Sequence, residues 1–315
     1  MRPVFHDSAR VVVPERLVLR AGRLARTALR VRWGLVRHPA LGPVLIDTGY
    51  GPRVTGAAAG PARPAHPRSL LLRLYAAALR PRLDPRGHAL AVLAREGIAP
   101  DDVRRIVVTH FHADHVAALR DFPRARIWAS GREWAKVAGR TRPANIHHGV
   151  FPELLPGDLR ARLDPIEERP ASATPSGLGP AHDLAGDGSL LAVPLPGHSP
   201  HHFGVLLPLD PPLLYAVDVQ WMREGVSEGR VPGGPSRIAH SDPAEMRRSV
   251  ERVRRFAESG GRFVLCHEPG ATEFDAPRVP QAPPRVQRRI PRSVTCGPLG
   301  RSDGVSRSVR EPFRA

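Results

Sequence analysis

The chain has 315 residues, and 47 Lys and Arg against 30 Asp and Glu give it a formal charge of +17. That length allows one large or two fused hydrophobic cores, two cysteines rule out a disulfide framework, and no apolar run reaches the length of a membrane span. The charge does not by itself indicate nucleic acid: Lys136 is the only lysine, Arg, Ala, Gly and Pro abound as in GC-rich coding, and with few aromatics there is no Arg–aromatic base-stacking platform.

The first residues carry Arg throughout and lack an uninterrupted apolar core, so no secretory leader is read and a cytoplasmic location is expected. Before about Trp33 the pattern alternates weakly, and Val11-Val12-Val13 is a candidate strand of a first sheet. Val44-Leu45-Ile46 reads as a buried strand that ends on Asp47-Thr48-Gly49. Ser69 to Arg80 has helical apolar spacing behind a Ser cap, and Gly87 to Glu96 is a second helical stretch closed by Gly97. Asp101 to Val108 leads into a strand, and Ile127-Trp128-Ala129 forms the next, followed by a helix over Arg132–Ala138.

Between those two strands stands Thr109-His110-Phe111-His112-Ala113-Asp114-His115. A solvated His-rich loop is the bland alternative, but ligand-type side chains this dense at a strand end point to a bound cation. His110 and His112, two apart in extended chain, project to one side. Asp114 and His115 diverge if the chain then turns into a helix. One loop can thus serve two ions about 3.5–4 Å apart. Imidazole with some carboxylate suits Zn²⁺ best, and Fe and Mn accept the same ligand types.

Two ions need further ligands, and three downstream strands each end on one. Leu190 to Val193 precedes Pro196-Gly197-His198-Ser199, Leu213 to Val217 runs into Asp218, and Phe263 to Cys266 runs into His267. The C-terminal lip of buried strands is where α/β folds usually place their sites. Cys266 reads as a small buried hydrophobe rather than a ligand. His147, His148, His201 and His202 read as surface or pocket-wall residues.

Residues 139–188 lose apolar periodicity and are expected to form a lid or pocket wall. Asp242-Pro243-Ala244-Glu245 opens a helix to about Glu258. The expected domain spans 1–274, and 275–315, rich in Pro and Arg, is expected to be disordered.

The ordered set Leu45-Ile46-Asp47-Thr48-Gly49, Thr109 to His115, Pro196 to Ser199, Asp218 and His267 resembles the metallo-β-lactamase superfamily of hydrolases, over about Val44 to His267. The resemblance implies an α/β fold: a four-layer αβ/βα sandwich of two mixed β-sheets flanked by helices. It implies that His110, His112 and His198 hold one metal and Asp114, His115 and His267 the other, with Asp218 bridging. Asp47 is implied to orient ligands from beneath.

The expected chemistry is hydrolysis by a hydroxide shared between two divalent ions, with Asp114 or Asp218 as proton shuttle. Within the superfamily the chain most resembles the N-acyl homoserine lactonase-like group, implying an ester or lactone with an acyl tail as the small-molecule substrate. That group typically carries a substrate-binding Tyr three residues after the bridging Asp. Here Trp221 takes the place and offers an indole N–H. A thioester hydrolase of glyoxalase II type is the alternative, as is a phosphodiesterase or nuclease on the same metals.

Overall fold

Apolar side chains alternate along the strands and so build two sheets. The computed structural model describes residues 1–56, 69–175, 177–230, 232 and 240–277. Among these, β1 (Val4–Pro14), β2 (Arg26–His38), β3 (Gly42–Ile46), β4 (Arg82–Leu83), β5 (Arg105–Val107), β6 (Arg126–Ala129) and β7 (Leu163–Pro165) form a seven-stranded sheet ordered β4-β1-β2-β3-β5-β6-β7. A six-stranded sheet follows, with β8 (Ala171–Ser172), β9 (Ala181–Asp183), β10 (Leu191–Pro194), β11 (Phe203–Leu207), β12 (Leu213–Val217) and β13 (Arg262–Leu265) in the order β13-β12-β11-β10-β9-β8. Both are mixed: β3, β5, β6 and β7 run parallel, and so do β12 and β13, while the other pairs are antiparallel.

Period-two alternation gives each sheet two apolar faces. Val44, Ile46, Val107, Val205, Tyr215 and Val264 share one buried cluster, which lies between the sheets. Their alternates Leu45, Ile106 and Val108 join helical residues such as Val92 and Leu93 on the far side of the first sheet. Leu214, Ala216 and Leu265 join Val250, Val253 and Phe256 on the far side of the second. The layers are therefore helix, sheet, sheet, helix, the expected sandwich.

Three helices are capped as their sequences require. Ser69 caps Leu70–Leu79 by accepting from Leu72 N, and Ser130 caps Gly131–Gly139 by accepting from Glu133 N. Asp242 caps Pro243–Glu258 by accepting from Ala244 N at 2.8 Å and Glu245 N at 2.9 Å. Met246, Ser249, Val250, Val253 and Phe256 give that last helix its buried stripe.

The segment 139–188 is more than a loop excursion: it carries β7 into the first sheet and β8 and β9 into the second. Short strands without long apolar runs hid this from the periodicity. At its far end the chain stays attached past residue 274. Asp275 accepts from Arg32 Nε at 2.7 Å, and Ala276 N donates to Phe5 O at 2.7 Å. Residues 1–276 accordingly form one compact unit. The expected disorder of the tail lies, from 278 onward, outside the described residues. Among the described residues no helix is long and apolar enough to cross a membrane.

Candidate metal centre

Each candidate ligand leaves the C-terminal end of a strand. After β5 the chain is extended at His112 (φ −66°, ψ 155°) and then enters the short helix Ala113–Val116, which separates His110 and His112 from Asp114 and His115. His198 follows β10, Asp218 follows β12 and His267 follows β13. β12 carries a register shift against β13 between Tyr215 and Val217, and Val217 has φ 54°. A positive φ at a β-branched residue is a true outlier, and it re-aims the chain at the point where Asp218 must face the site.

Asp218 Oδ2 is the meeting point. It lies 3.2 Å from His198 Nε2, 3.3 Å from His267 Nε2, 3.5 Å from His115 Nε2 and 4.0 Å from His110 Nε2. Asp114 Oδ2 is 3.3 Å from His267 Nε2 and 3.7 Å from His115 Nε2. His112 Nδ1 sits 3.0 Å from His198 Nε2. Two donor sets emerge: His110, His112 and His198 in one, and His115, Asp218, His267 and the Cys266 thiol in the other. Cys266 also packs in the inter-sheet core, its Sγ 3.5 Å from the Arg32 carbonyl.

These residues fit a pair of divalent ions. His110 Nε2, His115 Nε2 and Asp218 Oδ1 are buried and have no hydrogen-bond partner among the described residues, and buried polar atoms left bare call for a ligand. Burial, with His115, His112 and His198 around it, pushes His110 well below its ordinary range, so it stays neutral as a metal ligand must. Burial alone would raise the Asp114 carboxyl, yet His115 and His267 beside it bring it down to about 2.

Four of the imidazoles are held by their remaining nitrogen, His110 through Nδ1, 3.2 Å from Thr109 Oγ1. His115 Nδ1 donates to Asp47 Oδ2 at 2.8 Å, and Thr109 N also donates to this carboxylate. His267 Nδ1 donates to the carbonyl of Arg30 at 2.6 Å. His198 Nδ1 lies 3.2 Å from Nδ1 of His240, a buried residue that the sequence did not flag. His240 follows a Pro- and Gly-rich stretch, so neither strand pattern nor motif pointed to it.

The other described histidines fall outside both sets. His202 is buried, with Nδ1 on the carbonyl of Leu195 at 2.8 Å and Nε2 accepting from Asp218 N at 3.3 Å. His147 and His148 line the cavity above the site. Gly149 packs against the His112 ring, and its left-handed φ of 73° marks a position where a Cβ would stand 3.2 Å from Cδ2 of that ring.

The cavity holds about 540 Å³, within the usual range for small-molecule sites. His112, Asp114, His198, Asp218 and His267 form its polar end, while Val11, Val13, Leu17, Val18, Leu29 and Leu79 give it apolar walls. The Trp221 ring meets His198 and His267 edge-on, 6.3 Å from each, and lies tilted 5.1 Å from His240.

The chain is similar to several known proteins. N-acyl homoserine lactonase AttM of Azorhizobium caulinodans is 29% identical over 211 residues, covering 60% of this chain and 73% of the relative. AttM of Agrobacterium fabrum is 28% identical over 186 residues, 56% of this chain and 62% of the relative. A crystallised quorum-quenching N-acyl homoserine lactone lactonase superposes with a TM-score of 0.62 at 18% identity, covering 85% of this chain and 92% of its own. The profile of the metallo-beta-lactamase superfamily matches residues 26–259, and the chain belongs to that superfamily.

Proposed function

We propose that this metal-dependent hydrolase opens the ring of an N-acyl homoserine lactone or a closely similar ester, using two divalent ions. His110, His112 and His198 hold one ion, Asp114, His115 and His267 the other, and Asp218 lies between them. Zn²⁺ is the ion this donor set suits best. The observation that carries the reading is the meeting of both donor sets at Asp218, at the polar end of an apolar-walled cavity. The AttM relatives are named as N-acyl homoserine lactonases, and one similar structure holds N-hexanoyl-L-homoserine at its catalytic metal centre.

When bound, such ions supply a water of lowered pKa and a Lewis acid for the carbonyl. The protein's own side chains do the rest. The apolar walls take the acyl tail and exclude water, so that the ester carbonyl is left at the polar end. Trp221 borders the centre and limits where the ring can sit. Asp114 and Asp218, ionised and next to the reacting centre, take up the proton and return it to the leaving alkoxide oxygen.

Elemental analysis of the purified protein, alongside hydrolysis of N-hexanoyl-homoserine lactone, a thioester and a bis-phosphodiester, tests this. Two metal equivalents with lactone turnover are expected. Two metals with turnover of the thioester or phosphodiester alone would move the substrate to that class, and no hydrolysis of any would sink the reading.

A further inference from the structure

Tyr50 and Tyr75 reach the cavity from different elements. Tyr50 follows the turn after β3, and Tyr75 belongs to the helix Leu70–Leu79. Their hydroxyls meet at 2.5 Å, and both side chains line the cavity that holds Asp114, Asp218 and His267. Two phenols bring two protons, and the bond between them uses only one.

Which proton remains follows from burial. Tyr50 is enclosed at 1% exposure, its backbone N–H is taken by Ser8 Oγ at 2.9 Å, and among the described residues its hydroxyl meets only Tyr75. Leaving a buried O–H undonated costs about 1–3 kcal/mol, so Tyr50 donates to Tyr75. Among the described residues the Tyr75 O–H is then the one left over. It is only half-buried and faces the cavity that Asp114, Asp218 and His267 also line. Burial raises both phenols above their usual range, so each stays a donor at any working pH.

We propose that Tyr75 is a catalytic residue that donates its phenolic O–H to the oxygen of the scissile acyl group, and that Tyr50 is the positioning residue that aims it. This deepens the lactonase reading and rests on it. Donation from Tyr50 polarises the Tyr75 hydroxyl and makes it a stronger donor than a lone phenol. The Tyr75 ring is fixed in turn by Phe151, 4.8 Å away centroid to centroid.

The test compares Tyr50→Phe with Tyr75→Phe in the metal-loaded enzyme. Each removes one oxygen from the same hydrogen bond. A purely structural bond predicts that the more buried Tyr50 is at least as sensitive. The proposal predicts the reverse: Tyr75→Phe lowers kcat by about 10²–10³-fold with little change in KM, while Tyr50→Phe costs about tenfold or less, the scale of one uncharged hydrogen bond. Metal content and Tm check that both variants are folded and loaded. Calorimetric binding of N-hexanoyl-L-homoserine gives a readout independent of turnover and should weaken more in Tyr75→Phe. Equal losses in the two variants, or wild-type kcat in Tyr75→Phe, would overturn the proposal while leaving the lactonase reading intact. A wild-type enzyme that cleaves only the thioester would overturn the lactone reading, and the same pair of variants then decides the proposal on that substrate. No turnover of any ester by the wild type would overturn both.

Discussion

The Asp47 carboxylate grips His115 by its Nδ1 at 2.8 Å, and it does so from a left-handed backbone with φ 59°. Thr109 donates to the same carboxylate through its backbone N at 2.9 Å and through its hydroxyl. The His115 ring is thereby held with Nε2 toward Asp114 and Asp218. Asp47→Asn puts an N–H where either Thr109 or His115 already donates. Chelator competition should show metal affinity lowered about 10–100-fold; unchanged affinity would refute this role for Asp47.

Gly197 sets the position of His198 through a conformation no other residue suits. Its φ is 127°, and a Cβ there would collide with the backbone of Met246 at the start of the helix Pro243–Glu258. Gly197→Ala must push that helix away or twist the loop, and His198 moves with either. A stability loss of about 1–3 kcal/mol from the backbone conformation alone, with a larger fall in kcat/KM, is expected from urea unfolding and initial rates. An Ala variant with unchanged midpoint and rate would count against it.

His240 lines the cavity, as His147 does, and also touches a candidate ligand. If His198 binds a metal through Nε2, its Nδ1 carries the proton and donates it to His240 Nδ1, 3.2 Å away. His240→Ala removes that acceptor and should weaken metal binding by about tenfold, the low end of such outer-shell losses. His147→Ala, at the wall, should leave the metal content as it was. The same elemental analysis should find His112→Ala short of one metal equivalent.

Glu133 gives stability a pH dependence of its own. It is buried, accepts from Ser199 Oγ at 2.8 Å and His201 N at 3.2 Å, and burial raises its carboxyl from 4.5 to about 7. Between those values the folded chain keeps a proton that the unfolded chain has lost. The contribution is therefore whole below about pH 4.5 and is lost as pH rises through about 7. It amounts to no more than about 3.4 kcal/mol at 1.36 kcal/mol per unit. Glu133→Gln retains an acceptor oxygen and removes the titration. Urea midpoints from pH 5 to 8 should fall less steeply in the variant than in the wild type, and parallel curves would show that Glu133 is not the group responsible.

Residues that end strands were legible, because a polar ligand-type side chain after an apolar run is visible in one dimension. Asp47, His110, His198, Asp218 and His267 are all of this kind, and the structure gathers them at one edge. Trp221 was read as a pocket residue and lies against His198, His240 and His267. What stayed hidden depends on contacts between distant segments. Tyr50 and Tyr75 are 25 residues apart, and neither Glu133 nor His240 announces the partner it meets. Strands β7 to β9 were missed because two or three residues held by ladder bonds show no apolar period.

Both donor sets draw on both sheets: His110, His112 and His115 come from the first, and His198, Asp218 and His267 from the second. A chain with two cysteines thus places its candidate cross-links where ions, not sulfur, would close them. Ion content would then be a mechanical property as well as a catalytic one. A metal present at about a thousand times its Kd adds roughly 4 kcal/mol to folding, so stripping it should loosen the seam between the sheets before it unravels either.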